Sequence, residues 1–249
     1  MNRAETLEQL TRLCNLNREG VAPPAIEPTG FGELDAVLSN GGWQSGTIVE
    51  LMPTATGIGE LGLLMPALAR MTARDRHVAL ISPPYIPFAP ALNNHGVRLD
   101  RLLVIRAEKN ADTLWALEQT LRCKSFAAVV GWPESIRDRD VRRLQLAAEA
   151  GRSTGFVYRT VNAARDASPA AVRLRLQAAP QGLLIDILKC RGTRAGFSVA
   201  VNCRRPESAT SSAPPASQES ANPAFHSRDW SDDSSSAKTS FVADSLAGG

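Results

Sequence analysis

The stretch from residue 46 to residue 64, GTIVELMPTATGIGELGLL, constrains the fold of this chain more than any other. It opens with a short, apolar and β-branched run, TIVEL, which predicts a buried strand that ends at Pro53. Gly57 and Gly59 then allow a sharp turn, and an apolar repeat predicts a helix over 60–73. A strand, a glycine-containing loop and a helix in this order are typical of a nucleotide-binding P-loop.

The loop lacks the residues that phosphate chemistry requires. A P-loop has the pattern G-x-x-x-x-G-K-[ST], in which backbone N–H groups and the lysine bind phosphate and the hydroxyl binds Mg²⁺. Here Ile58 stands at the lysine position and Gly59 at the hydroxyl position. The sequence therefore predicts a degenerate phosphate loop at Gly57, Ile58 and Gly59, which is not expected to function.

Strands and helices alternate after this loop. Apolar runs predict further strands at 77–81, 102–105, 127–132 and 155–159, with helical repeats between them. Elements of this length and order predict an α/β fold with a mostly parallel sheet flanked by helices. Runs at 171–178 and 182–189, and a last run at 197–201, predict C-terminal antiparallel strands.

The composition divides the chain into three parts. Residues 1–27 combine a leucine repeat with a proline-rich connector, which predicts an N-terminal helix followed by an extended segment. Residues 28–203 hold the α/β domain. Residues 204–249 are rich in Ser, Ala, Pro and Asp and poor in large apolar residues, so this tail cannot offset its ordering entropy and is predicted to be disordered.

Charge gives little evidence of a nucleic-acid partner. The net charge of +3 is too small to argue for DNA on its own. One basic cluster after the fourth strand is a candidate for weak DNA contact: Arg137, Arg139, Arg142 and Arg143. Asp138 and Asp140 are interleaved with it and cancel much of its field, so a solvated helix start is the favoured interpretation.

The sequence predicts no metal site, no cofactor and no membrane segment. The four cysteines form no C-x-x-C pair, and the three histidines have no zinc-ligand spacing to them. The N-terminus has acidic residues and no apolar core of a signal peptide. No run approaches the roughly 18 apolar residues that a membrane span needs. A soluble, cytoplasmic protein is expected.

Three phrases of the sequence together resemble the ImuA family, the RecA-like, SulA-related proteins associated with SOS-induced translesion DNA synthesis. They are GGW at 41–43, GIGELGLLMPALA at 57–69 and ISPPYIPFAPALNNHGVRLDRLLVIRA at 81–107. The resemblance covers about residues 28–201 and does not include the tail. It implies a RecA-like core for the α/β domain.

The RecA-type pattern can be carried over position by position, and it implies the loss of ATPase chemistry. The lysine and hydroxyl of the loop fall at Ile58 and Gly59, as above. The metal-holding acid would fall near Gly131-Trp132, and the water-activating glutamate near Pro83-Pro84. Since all three contributions to phosphoryl transfer are absent together, the chain is expected to be a non-catalytic pseudo-ATPase.

A Lys-x-Arg pair, Lys189 and Arg191, remains at the end of a predicted strand. In RecA-type filaments a basic pair in a similar place reaches the nucleotide bound by the neighbouring subunit. The resemblance therefore implies a possible basic finger toward a partner. Two solvated basic residues at a strand end are an equally good interpretation.

Two functions from different classes follow. The first is a non-catalytic adaptor of an SOS-induced mutasome, whose implied partners are an ImuB-type relative of Y-family polymerases, RecA and, indirectly, an error-prone replicative-type polymerase. The alternative is a SulA-like cell-division inhibitor that binds FtsZ, since SulA also resembles RecA and lacks ATPase chemistry. A weaker third possibility is an active DNA-dependent ATPase with an unorthodox loop.

Overall fold

The computed structural model describes residue 8, residues 25–192 and residues 196–203, all within the compact unit Met1–Ala209. The predicted N-terminal helix and the predicted disordered tail lie almost wholly outside the described residues. The domain boundaries at 27/28 and 203/204 therefore stay predictions.

Ten strands and five α-helices make up the described part. The strands are β1 (Ile26–Glu27), β2 (Trp43–Gln44), β3 (Thr47–Pro53), β4 (His77–Ile81), β5 (Leu102–Ile105), β6 (Phe126–Gly131), β7 (Thr154–Tyr158), β8 (Val172–Ala179), β9 (Gly182–Cys190) and β10 (Ser198–Val201). The helices are α1 (Gly32–Asp35), α2 (Met65–Ala73), α3 (Ala89–Asn94), α4 (Asn110–Arg122) and α5 (Asp138–Gly151). Short 3₁₀ turns lie at Leu99–Arg101 and Val161–Arg165.

Eight of these strands form one mixed sheet in the order β10-β9-β8-β3-β7-β6-β4-β5. Strands β8, β3, β7, β6, β4 and β5 pair in parallel, whereas β9 and β10 join antiparallel beyond β8. β1 and β2 form a separate antiparallel ribbon. Strand β3 lies inside the sheet, and all its residues except Pro53 are buried, which explains why its sequence is apolar on both faces.

Apolar layers cover both faces of the sheet. On one face, α2 packs through residues such as Leu68 and Met71, and Trp43 meets Phe156 edge-on with ring centroids 5.2 Å apart. On the other face, α4 and α5 pack through residues such as Leu117 and Leu144. The charged residues of α5 lie on its outer side, as its helical repeat requires.

The prediction of a RecA-like core with a degenerate P-loop is wrong. A P-loop places the start of a helix directly after its glycines, so that N–H groups of the first turn face phosphate. Here α2 begins only at Met65, and residues 54–64 form bends and turns closed by N–H···O bonds from Gly62 to Gly59 and from Leu64 to Leu61. The helix predicted over 60–73 is shortened for this reason.

Most individual strands lie where the apolar runs predicted them. The boundaries of β4 and β5 agree with the prediction, while β6 and β7 begin and end one residue earlier. The β8–β9 hairpin turns at Pro180 and Gln181, as the Pro-Gln-Gly turn predicted. The mixed character of the sheet follows from this hairpin and from β10.

Two kinds of structure are absent from the described residues. None of their helices is long and apolar enough to cross a membrane. They also contain no group of three or more His, Cys, Asp or Glu side chains arranged to hold a metal ion.

Candidate protein-interaction surface

The carboxyl edge of the sheet, where the parallel strands end, carries the loops with the most unusual surface. Residues 54–64 follow β3, residues 82–88 follow β4, and residues 132–137 follow β6. Loops at this edge of an α/β sheet commonly form binding sites, because the strands hold them in fixed positions while leaving their tips exposed.

The loop after β3 is folded onto the protein and not open for phosphate. The backbone N–H of Gly57 donates to the Glu60 carboxylate at 3.1 Å, so this group already has a partner. Ile58, at the former lysine position, packs against the apolar core on the α2 side of the sheet. Gly57 and Gly59 both adopt positive φ angles, 79° and 94°, which only glycine takes without strain.

An aromatic pair lies at the ends of the two neighbouring strands. Trp132 follows β6 and Tyr158 ends β7, and their rings stack in parallel with centroids 4.8 Å apart. The Tyr158 hydroxyl donates to the backbone carbonyl of Glu60 at 3.0 Å. Burial raises the pKa of Tyr158 well above its ordinary value, so the hydroxyl stays a donor at physiological pH. This bond ties the loop after β3 to the sheet.

The loop after β4, residues 82–88, exposes a cluster of large apolar side chains that we call the apolar loop. Tyr85 is 69% exposed, Ile86 80% and Phe88 70%. Three large apolar residues within four positions are unusual on a protein surface, where such residues normally occur singly. This concentration is characteristic of a protein-binding surface.

The apolar loop is held firmly at its base. Ser82 adopts a left-handed conformation with φ 50°, and its hydroxyl lies 2.9 Å from the hydroxyl of Thr113 on α4. The N–H of Ala107, after β5, donates to the same Ser82 oxygen at 3.3 Å. The loop also contains Pro83, Pro84 and Pro87, whose rings restrict the backbone. A restricted loop loses less entropy when a partner binds.

A buried ionic network supports the same edge from inside. Glu50 of β3 is fully buried, and its carboxylate accepts bonds of 2.7 Å from Arg159, from Arg173 and from the Ser168 hydroxyl. Arg173 also donates to the carbonyls of Asp166 and Ala163, both at 2.6 Å. The network fixes the segment between β7 and β8 to the central strand.

The predicted basic finger lies at the end of β9, where Lys189 contacts the segment that the Glu50 network holds. Lys189 pairs with Arg173 across the β8–β9 ladder, and its ammonium donates to the carbonyl of Ser168 at 2.7 Å. Arg191 follows β9 and is exposed. The two side chains therefore have different surroundings, and their action on a partner's nucleotide stays a prediction.

The predicted DNA-contacting cluster lies at the start of α5. Asp140 accepts a bond from the N–H of Arg137 at 3.2 Å and lies 3.9 Å from the guanidinium groups of Arg139 and Arg143. Arg143 also pairs with Glu118 of α4. Among the described residues, Arg142 has no ion pair. Contact with DNA stays a prediction for this largely neutralised cluster.

Two features of this edge were not identified from the sequence. The first is the exposed phrase PPYIPF, whose three prolines signal a loop but not its exposure. The charged Glu50 within an apolar strand signals a buried partner. Its partners Arg159 and Arg173 are more than 100 positions away and cannot be identified from local pattern.

Part of this chain is similar to a known protein family. A family model described as "Cell division inhibitor SulA" matches residues 46–155, a span that includes the loop after β3 and the apolar loop. SulA of Photorhabdus laumondii is 28% identical over 111 residues, which are 45% of this chain and 63% of that protein. SulA of Serratia marcescens is 27% identical over 128 residues, 51% of this chain and 74% of that protein.

One solved structure of a SulA protein also aligns with this chain. The crystal structure of SulA from Pseudomonas aeruginosa aligns with a TM-score of 0.39 and 26% sequence identity, and the alignment covers 45% of this chain and 97% of that chain. The Photorhabdus relative is matched over slightly less than two thirds of its length.

These comparisons overturn the first function predicted from the sequence. The matching relatives are named as cell division inhibitors, so the prediction of an adaptor in a translesion-synthesis complex is wrong. The SulA-like alternative is better supported. The fold class is corrected with it, from a RecA-like P-loop core to the mixed α/β fold described above. Residues 46–155 of this chain are thus similar to the SulA cell division inhibitors.

Proposed function

We propose that this chain is a SulA-like inhibitor of cell division that binds FtsZ in the cytoplasm and limits its polymerisation. The observation that carries the proposal is the apolar loop, whose Tyr85, Ile86 and Phe88 are all at least 69% exposed. The loop lies inside the span that resembles SulA, residues 46–155. Its exposed apolar tip is typical of a protein-binding patch, and its restricted backbone lowers the entropy lost on binding.

The size of the apolar loop suits this role. Burying one large apolar side chain contributes about 1.5–3 kcal/mol. Ile86 is 80% exposed and can therefore transfer most of its surface to a partner. Loss of a side chain at the centre of an interface commonly weakens binding by about tenfold or more.

We also infer that the chain acts without hydrolysing ATP. This inference is supported by the loop after β3, where Ile58 packs on the core and the Gly57 N–H is bonded to Glu60. No group among the described residues of that loop can supply the positive charge that a P-loop lysine gives to phosphate. Turnover of ATP by the purified chain, lost on substitution of Gly57, would contradict this inference.

The proposal is tested by sedimentation of FtsZ polymers formed with GTP, with and without the purified chain. We expect the chain to reduce the sedimented FtsZ, and the Ile86→Ser variant to bind FtsZ about tenfold more weakly or worse. Leu146→Ser is the matched control, since Leu146 is 64% exposed on the outside of α5 and its loss should change nothing. Unaltered FtsZ assembly with the wild-type chain would refute the function. If Ile86→Ser bound FtsZ as tightly as the wild type, only the assignment of the apolar loop as the binding surface would be refuted.

The finer assignment, to the ImuA family within the SulA-related proteins, stays a prediction. It rests on the three sequence phrases given above, of which 57–69 and 81–107 lie within the span that resembles SulA. RecA and an ImuB-type protein are its implied partners, and both can be included as separate arms of the binding assay. Binding to either one, in the absence of FtsZ binding, would favour the ImuA assignment.

A further inference from the structure

Strand β5, Leu102–Ile105, forms one edge of the eight-stranded sheet. It pairs in parallel with β4 on one side, and no strand of the described residues pairs with it on the other. A sheet edge presents unpaired N–H and C=O groups, to which a further strand can bind. Natural proteins commonly block such edges with a charged residue, a proline or a bulge. The sequence of β5, LLVI, contains none of the three.

The hydrogen bonds of β5 show which of its backbone groups face outward. The carbonyl of Ile105 accepts a bond of 2.7 Å from the N–H of Ser82, the residue after β4. In a strand, the N–H and C=O groups of one residue point to the same side, and successive residues alternate. Leu103 and Ile105 therefore direct these groups toward β4, whereas Leu102 and Val104 direct theirs to the open edge. Outside the β4–β5 ladder, no described residue bonds to the backbone of Leu102 or Val104.

The side chains of β5 are apolar on both faces of the sheet. Leu102 and Val104 pack against the apolar cluster on the α2 face, and Leu103 packs against the cluster on the α4–α5 face. All three remain partly exposed at the edge. A strand placed beside β5 would extend both apolar layers, so apolar side chains at successive positions would suit it best.

Exposed apolar side chains also adjoin the two ends of β5. Leu99, in the 3₁₀ turn that leads into the strand, is 40% exposed. At the other end, the apolar loop begins at Ser82, which is bonded to Ile105. Leu99 and the apolar loop supply four of the seven exposed large apolar side chains in the described ranges. This concentration favours β5 as a binding edge over β10, whose sequence is SVAV.

We propose that the open edge of β5 binds a short, extended and apolar segment of a partner protein, which pairs with β5 as an additional strand of the sheet. The outward N–H and C=O groups of Leu102 and Val104 supply the hydrogen bonds, and the partly exposed side chains supply apolar contact. Because β5 has four residues, the paired segment is about as short. The proposal concerns the backbone of this edge and does not rest on the proposed function.

The test begins with a phage-displayed library of random peptides, selected on the immobilised full chain. The most enriched peptide is synthesised and titrated into the ¹⁵N-labelled full chain. We expect this peptide to be apolar, and we expect its binding to slow the hydrogen exchange of the Leu102 and Val104 amides. Selection of no apolar peptide, or unchanged exchange at both amides, would overturn the proposal.

Two modified versions of the peptide distinguish strand pairing from side-chain docking. One version carries N-methyl groups on its odd-numbered residues and the other on its even-numbered residues. In a paired strand only one of these two sets of N–H groups faces β5. One version should therefore bind about tenfold more weakly or worse, while the other keeps its affinity. Equal affinity of the two versions would contradict strand pairing.

Proline variants test the edge from the side of the protein. Val104→Pro removes an outward N–H and leaves the bonds to β4 in place, and it should weaken peptide binding by about tenfold or more. Ala200→Pro is the matched control on the other edge. The Phe197 carbonyl accepts from Ile187 of β9, so the alternation of groups directs the Ala200 N–H away from β9.

Circular dichroism checks that both proline variants fold, and the N-methylated peptides decide the question if either variant does not. Equal effects of the two prolines on peptide binding would overturn the proposal. Self-association of the wild-type chain that Val104→Pro abolishes would assign the edge to a second copy of the chain, and would overturn it as well.

Discussion

Substitution of Glu50 by glutamine tests how the carboxyl edge is held together. Glu50 is fully buried, and its carboxylate accepts three bonds of 2.7 Å. Glutamine keeps the shape of the side chain but removes the charge, and its NH₂ group then faces a guanidinium. The side chains of Arg159 and Arg173 are only 10% and 7% exposed, so water cannot replace the lost charge.

The size of the effect follows from this burial. Breaking a buried ion pair costs about 3–5 kcal/mol, because an uncompensated charge is left inside. Arg173 keeps its bonds to the carbonyls of Asp166 and Ala163, which favours the lower end of this range. The lower end, about 3 kcal/mol, corresponds to a fall in Tm of roughly 6–12 °C, at about 2–4 °C per kcal/mol for a domain of this size.

Urea and thermal unfolding, followed by circular dichroism, measure the change. Asp100→Asn is the control, because Asp100 pairs with Arg98 on the surface, with side chains 57% and 43% exposed. Its loss should change the unfolding midpoint little, because water and salt screen an exposed ion pair. If Glu50→Gln destabilises the protein by no more than this control, then the buried network does not hold the edge as we argue.

Two further predictions concern stability. Tyr158→Phe should cost about 1 kcal/mol at neutral pH, because the Glu60 carbonyl loses its donor. Burial raises the pKa of Tyr158, so above about pH 10 only the unfolded wild type releases this proton. The stability of the wild type should therefore fall toward that of the variant as the pH rises. An equal difference in unfolding free energy between wild type and variant at pH 7 and at pH 10.5 would contradict this. Gly151→Ala should destabilise the protein by about 1–3 kcal/mol, since a Cβ would lie 1.9 Å from the Leu121 carbonyl oxygen. Gly32→Ala is the control and should not destabilise it, because the space around Gly32 is open. Equal urea midpoints for the two variants would refute the close contact at Gly151.

The apolar loop shows why the functional surface was harder to predict than the sheet. Alternating strands and helices have local periodicities, and these predicted most strand positions within one residue. Exposure is not a local property, because PPYIPF has the composition of a buried segment as much as that of a surface one. The tertiary structure shows that Tyr85, Ile86 and Phe88 are exposed, on a loop whose base is held by the contacts of Ser82 with Thr113 and Ala107.

The stretch after β3 shows which features follow from local sequence and which depend on long-range packing. Residue identity alone is enough to predict a buried strand at the start of residues 46–64, and to show that the following loop lacks the lysine and hydroxyl of a P-loop. The start of the helix at Met65 and the folding of the loop onto the core depend on long-range packing. Tyr158, 98 positions from Glu60, holds the loop there, and such a distant bond depends on how the whole chain packs.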